Sequence, residues 1–568
     1  MKHSHLKVST IGIFFAGSVL LLGYLLSIRY HFPLPVLLFW IAIAMMLGTI
    51  VYQCLRIKLS SSYVKVVLLE IITTSIVLHL IYQIPYYALR GWDAYIDMGS
   101  AQGILNSGFI LGDPEYINET SYWPMIHILG AQLSLVTNIE IHDIVKWLPS
   151  FLSIALVPLL YLLMKSVFKH QRVALLSVLL FVVLQHHILF GSLFVREIIA
   201  LVLAACCLYL YFSAGQSTQP RTYRALSFMC LMLVATAHHL TSFMLLAFLL
   251  IHFIVARISK GAFKIPALKH MYSGNSLLGQ NVIGTLLLIS FVAFFGYCAY
   301  VAIQPLATLT TFGEDLVAVE SWGEDTYAQS AEIGASDIRT TRGYLIFFGF
   351  YGFHALCGFI LVCGLLPRAR PKRLETYSFT FFLFFCGLVG LVSMFLVQSE
   401  AFPDRYLMFG WLFAFAPLVL AILKSRPKWL RTAGVFLLLI FMLLNIYMIE
   451  PTTWDSEANK EQVAMAASEE DYALANTFDF SEGTIIAHQN NRVAIYDIHN
   501  HLPLDDLPFP TDFDWIILQK KLMAWEERFH PEPRTEAAAE LQQLRQSGSI
   551  SHHKIYESRN LALFRNAR

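Results

Sequence analysis

Two carboxylates four residues apart, Asp93 and Asp97, stand in RGWDAYIDMGSAQGIL (90–105), directly after the apolar run ITTSIVLHLIYQIPYY. On a helix that spacing sets both acids on one face. A carboxylate at a membrane boundary serves as a general base on an acceptor hydroxyl, or as a ligand for a divalent cation. Trp92 and Tyr95 beside it offer faces on which a sugar ring stacks. The plainer account is a solvated helix start, where acids suit the positive end of the helix dipole.

Further groups with chemical potential are spread along the chain. Arg196 and Glu197 open an apolar helix in SLFVREIIAL. A charged pair there must face protein or water. It is either an ion pair locking two helices or an arginine gripping phosphate through its planar fork. His238 and His239 lie in TAHHLTSF at the expected turn of a helical hairpin, and His186 and His187 repeat the pattern in QHHILFGS, read as another short turn. Adjacent histidines do not share a helix face, so they do not make an i, i+4 zinc site. Hydrogen bonding to a lipid phosphate or sugar and capping of the turn both account for them. His127, in YWPMIHILGAQLS, is read as structural, with Tyr122, Trp123 and Pro124 as an interfacial anchor.

A later acidic loop repeats Gly-Glu-Asp at 313–315 and 323–325 and ends in DIRTTRGYL. Arg339 and Arg342 there stand on the side where basic residues are scarce, which suits an anionic head group or pyrophosphate. Asp404 and Arg405 follow in EAFPDRYLMFGWLF, where Pro403 makes a turn a sufficient account and a substrate contact the sharper one. No metal-ligand spacing such as CxxC occurs among the eight cysteines. The cation such carboxylates would accept is Mg²⁺ or Mn²⁺, with the metal-binding residues unknown.

These residues must be held by elements that live in lipid. Of 568 residues 57% are hydrophobic and 14% charged, against about 25% charged in soluble domains. The chain is therefore expected to be a multi-pass protein of the cell membrane, and a net charge of +1 gives no basis for nucleic-acid binding. Apolar runs long enough to span are read at 8–28, 34–54, 64–84, 147–164, 173–190, 195–212, 225–238, 240–256, 281–303, 343–365, 377–397, 406–423 and 432–449. Between 173 and 256 the runs are short, and half-length helices meeting at turns are expected. With thirteen spans every Lys/Arg cluster falls on one side, which makes the N-terminus cytoplasmic and the C-terminus external. Polar and acidic segments then gather on the outer face, in loops 85–146 and 304–342.

Residues 1–449 thus read as a transmembrane domain and 450–568 as a small extracytoplasmic α/β domain. In the latter, TIIAH, DWIILQK and the hairpin KIYESRNLALFR are strand candidates, and TEAAAELQQLRQS is a helix candidate.

With GWDAYID at the start of the first large outer loop, short paired helices after it, a second late outer loop and an external tail, the layout resembles the GT-C class of integral membrane glycosyltransferases. That resemblance implies a polyprenyl-phosphate-linked sugar as donor and a surface glycan, lipid or protein as acceptor, beside membrane lipid. It implies Asp93 as the catalytic or metal-associated carboxylate with Asp97 assisting, and outer-face arginines on the lipid phosphate. Two points depart from the class: two extra spans precede the acidic loop, and the loop has no DxD. A lipid-linked polysaccharide polymerase or ligase shares the features. A lipid-linked glycan transporter is the non-enzymatic alternative, for which Glu70 and His79 are the ionisable groups inside a span and a clear internal repeat is lacking.

Overall fold

The computed structural model describes residues 2–30, 34–84, 89, 92–110, 122–262, 280–302, 352, 354–360, 374–396, 403–425, 427–447, 449 and four strands between 485 and 566. Its first helices are α1 (Lys2–Arg29), α2 (Val36–Arg56), α3 (Ser61–Gln83), α4 (Trp92–Ser107), α5 (Met125–Thr137) and α6 (Ile141–Phe168). Then come α7 (Gln171–Val182), α8 (Gln185–Ser192), α9 (Arg196–Ala214), α10 (Pro220–Ala237) and α11 (His239–Ala262). The last are α12 (Gln280–Tyr300), α13 (Leu374–Leu396), α14 (Pro403–Lys424) and α15 (Lys428–Tyr447).

Nine of the helices in the described residues are long and apolar enough to cross a membrane, and the pair α7 and α8, bent by 62°, makes up to ten. The chain is a multi-pass integral membrane protein with an all-helical bundle. Most of the expected span at 343–365 lies outside the described residues, as do Arg339, Arg342 and the paired Gly-Glu-Asp segments.

The region of short apolar runs differs in part from its sequence reading. α7 and α8 do meet as two short helices, but α9, α10 and α11 run 19, 18 and 24 residues. QHHILFGS is not a turn; it is α8, with seven of its eight residues buried. The reason is backbone satisfaction, because buried N–H and C=O groups away from water need partners and helix supplies them internally. The break before α8 is held from outside: the Gln185 N–H donates to Asn445 Oδ1 of α15 at 3.0 Å. Asn445 is fully buried and acts as a remote cap for the α8 N-terminus.

Gly191 lets α8 sit tightly on its neighbours. A Cβ there would clash with Ser153 Oγ of α6 and lie 2.6 Å from His79 Nε2 of α3. Ser153 Oγ–H donates to the Gly191 carbonyl at 2.9 Å. Elsewhere the bundle is an aromatic core: Phe248 stacks on Phe413 at 4.5 Å, and Trp411 stacks on Phe415 at 4.8 Å. The intramembrane acid Glu70 accepts from Gln53 Nε2 at 3.1 Å, and His79 Nδ1 lies 2.6 Å from the Ser75 carbonyl.

One end of the bundle collects the basic loops. Arg172 at the start of α7 donates to the Ile57 carbonyl after α2 at 3.3 Å, and Gln216 after α9 donates to the Ser166 carbonyl of α6 at 3.2 Å. Lys7 of α1 lies over the Tyr63 ring of α3 at 4.7 Å. The C-terminal strands β1 (Ile485–Ala487), β2 (Trp515–Gln519), β3 (His552–Glu557) and β4 (Leu561–Asn566) form a sheet of order β1-β2-β4-β3. β1 and β2 are parallel and the other pairs antiparallel. TIIAH, DWIILQK and the hairpin candidate all supply strands, while TEAAAELQQLRQS lies outside the described residues.

Candidate active site

At the end opposite the basic loops, α4 and α5 pack over the start of α9. Ala94, Met98, Ala101, Ile126, Phe194 and Ile198 form the apolar floor there. α5 comes close because Gly130 faces Phe194; a Cβ at Gly130 would lie 3.0 Å from the Phe194 ring. One turn before Gly130 on α5 is His127, which this approach carries to α4.

The result is a buried cluster of three groups. Asp97 Oδ1 lies 2.8 Å from His127 Nε2 and 3.3 Å from Arg196 Nε. The Asp97 and His127 side chains are 0% and 1% exposed, whereas Arg196 keeps 14% and so reaches the edge of the cluster. A carboxylate in an apolar floor is costly unless paired, and here one oxygen serves two partners. His127 Nε2 faces the shared carboxylate oxygen, and its Nδ1 is buried on the far side of the ring. The Arg196 contact is an ion pair by proximity, since Nε–H is not aligned for a hydrogen bond.

Local helix physics makes that pairing necessary. Arg196 stands at the first position of α9, where the dipole is positive and a cation is disfavoured. Glu197 follows it, 2% exposed, and its negative charge suits that end. Asp97 provides the second compensating charge from across the interface.

Asp93 and Asp97 do share a face of α4, but they do different things. Asp93 is exposed in the first turn, and Asp97 is sealed one turn deeper. The carboxylates therefore run from surface to interior and not side by side into solvent.

The histidine pair at the α10–α11 junction divides similarly. His238 Nδ1 lies 2.9 Å from Thr241 Oγ1 and also meets the Thr241 N–H, so it caps the α11 start. His239 packs on Trp123, with ring centroids 5.3 Å apart, and Trp123 packs on Tyr297 at 5.2 Å. Trp123 is buried, anchored further by Tyr297 O–H donating to the Tyr122 carbonyl at 2.6 Å. Asp404 and Arg405 fall in the first turn of α14, with side chains outside the described residues.

Two partners escape a reading of the sequence. His127 looks like an ordinary apolar-helix histidine, and nothing local signals that Asp97 is its partner 30 positions away. Gln83 donates to the Ser192 carbonyl at 2.6 Å, tying α3 to α8 at the base of this end. Among the described residues no three His, Cys, Asp or Glu side chains converge as a metal site would require. Asp97 commits Oδ1 to both His127 and Arg196, and its Oδ2 is buried beside them.

The fold places the chain in a recognisable structural class. No protein-family model matches the sequence, and no curated protein matches it. Solved structures do match, and they are polytopic enzymes of the GT-C kind. ArnT from Cupriavidus metallidurans bound to undecaprenyl phosphate aligns with TM-score 0.50 at 9% identity, covering 89% of this chain and 98% of that one. The same protein in its apo state aligns with TM-score 0.50 at 10% identity and the same coverage. The Archaeoglobus fulgidus oligosaccharyltransferase tethered to an acceptor peptide aligns with TM-score 0.49 at 12% identity, covering 83% of this chain and 71% of that one. The architecture is ArnT-like.

Proposed function

We propose that the chain is a membrane glycosyltransferase that moves a sugar from a polyprenyl-phosphate donor to a cell-surface glycan, lipid or protein acceptor. The observation that carries this reading is the buried Asp97–His127–Arg196 cluster at one end of an ArnT-like bundle. The basic loops gathered at the other end support a cytoplasmic N-terminus, thirteen spans and an external C-terminal α/β domain. The cluster then faces outward.

In the proposed reaction the exposed Asp93 carboxylate takes the proton of the acceptor hydroxyl. The oxygen attacks the anomeric carbon, and the bond from that carbon to the phosphate oxygen breaks. The electron pair leaves with the polyprenyl phosphate. Arg196 receives the developing charge, because its partly exposed fork retains N–H groups beyond the one facing Asp97. Asp97 and His127 position Arg196 by pairing and packing, so the guanidinium is set before the phosphate arrives. Arg339, Arg342 and Arg405 supplement it on the phosphate, while Asp404, Glu197, His238 and His239 border the sugar. The relative ArnT was solved with undecaprenyl phosphate, a ligand of the class assigned here.

The test uses the full chain in nanodiscs with a panel of undecaprenyl-phosphate-linked sugars and of glycan, lipid and peptide acceptors, following acceptor-dependent release of undecaprenyl phosphate. Asp93→Asn should lower turnover about 10²–10⁴-fold, the usual worth of a positioned general base. Arg196→Lys, which keeps charge but loses the fork, should weaken undecaprenyl phosphate binding. Wild-type turnover in Asp93→Asn would falsify the role of that carboxylate.

A further inference from the structure

At the basic end, a cavity of about 940 Å³ opens between the C-terminal ends of α6 and α9. Lys58, Lys165, Lys169 and Arg172 line it, and no Asp or Glu is among its lining residues. We propose that this cavity binds the phosphate group of an anionic phospholipid, at the opposite face of the membrane from the glycosyl-transfer site.

The four cations come from two loops that packing holds together. Lys58 follows α2, and Lys165, Lys169 and Arg172 surround the α6–α7 turn. Arg172 is fixed in place by its hydrogen bond to the Ile57 carbonyl. Lys169 caps α6 with φ of 55°, a left-handed conformation that glycine adopts without strain. From that corner Lys169 lines the cavity. His170 beside it is pushed below the ordinary histidine range by burial and by the charges of Arg172 and Lys424.

Free phosphate and a lipid headgroup share the recognising chemistry, and the walls favour the lipid. Leu59, Leu162, Tyr209 and Tyr223 give the cavity its apolar surface, and neutral polar side chains such as Ser166, Ser213 and Gln216 make up much of the rest. Leu162 lies three residues before Lys165 on α6, one turn deeper into the span, and is 37% exposed. Leu162 below the lysines offers an acyl chain an apolar contact beneath its phosphate. Basic pockets between transmembrane helices on the cytoplasmic side recognise phospholipid headgroups in this way. α9 runs from Arg196 at the candidate active site to Ala214 at this cavity, so about 28 Å of helix separates the two. The inference does not depend on the proposed transfer reaction.

The test is native mass spectrometry of the full chain in detergent, titrated with phosphatidylglycerol or phosphatidylcholine, with sodium phosphate as competitor. Wild-type protein should retain phosphatidylglycerol in preference to phosphatidylcholine. Lys165→Gln/Lys169→Gln should weaken that retention about thirtyfold, each basic residue near an anionic surface contributing about fivefold. Lys165→Arg/Lys169→Arg should restore it. Should the double glutamine variant melt early, Lys58→Gln, in an exposed loop, replaces it with an expected fall of about fivefold. Displacement of the lipid by millimolar phosphate, with phosphate binding lost in the same variants, would overturn the lipid and assign the cavity to the free anion. Equal retention of both lipids, or retention unchanged by the variants, would overturn the site altogether.

Discussion

The two ends of the bundle handle charge in opposite ways. At the α4–α5–α9 end, Asp97, His127 and Arg196 are of mixed character and nearly sealed, with Asp97 within 3.3 Å of both partners. At the α6–α7 end, Lys58, Lys165, Lys169 and Arg172 carry one sign around an open cavity. Burial without pairing is prohibitive for an ion, whereas exposure without pairing is cheap. The first end is therefore a self-compensated assembly whose loss the fold must feel. The second is a more open, one-signed surface whose loss the fold should feel less than a ligand does.

The contrast breaks most sharply at Arg196. Arg196→Met leaves the Asp97 carboxylate buried with only His127, and removal of one partner from a buried pair costs about 3–5 kcal/mol. Thermal unfolding of the detergent-solubilised chain should show that loss, while Lys165→Gln should leave the melting temperature unchanged. Equal effects at the two ends would erase the distinction. Arg196→Met with Asp97→Asn should recover part of the loss, because the stranded charge goes with it.

A smaller effect is expected from geometry without charge. Gly191→Ala must push Ser153 and His79 aside, and overpacking of this kind costs about 1–3 kcal/mol. Asn445→Ala removes the remote cap on α8 and should cost about 1 kcal/mol by comparison with ordinary cap deletions. Both are read as shifts in unfolding temperature. A neutral Asn445→Ala would mean that the α7–α8 bend holds without its cap.

How much of this was legible in the sequence follows the range of the interactions. Apolar run length carries the helices, since each span is specified by its own composition. The basic clusters at 56–58, 165–172 and 424–431 foretold a common end, because each loop's charge is a local property. The four-residue spacing of Asp93 and Asp97 foretold a shared face, but not that one acid would be exposed and the other sealed. That depends on α5, whose His127 lies 30 residues away, and on Arg196, 99 residues away. Similarly, QHHILFGS carries polar residues that suit a turn. Only burial against α3, α6 and α15 shows why it must close its own hydrogen bonds as α8. Composition specifies which segments enter the membrane, and long-range pairing specifies which polar groups they seal.

The finest probe of the contrast is His170, at the α6–α7 turn beside the basic cavity. Burial, then Arg172, then Lys424 hold its imidazole below the ordinary value of 6.5. A depressed folded value means that the unfolded chain binds the proton more readily. Any stability tied to His170 is then present above the ordinary histidine range and is lost as pH falls through the lower folded value. Lys424→Gln removes one repelling charge and should move the midpoint upward, as measured by hydrogen–deuterium exchange at the imidazole C2 carbon. Phosphatidylglycerol in the cavity should move it the same way, because an anion offsets Arg172 as well as Lys424. A midpoint that rises with Lys424→Gln but ignores the lipid would leave the positive field intact and move the lipid elsewhere. A midpoint that ignores both would leave desolvation and the Val173 N–H donated to Nδ1 as the causes, and the basic end would then lack the field that sets it apart from the sealed one.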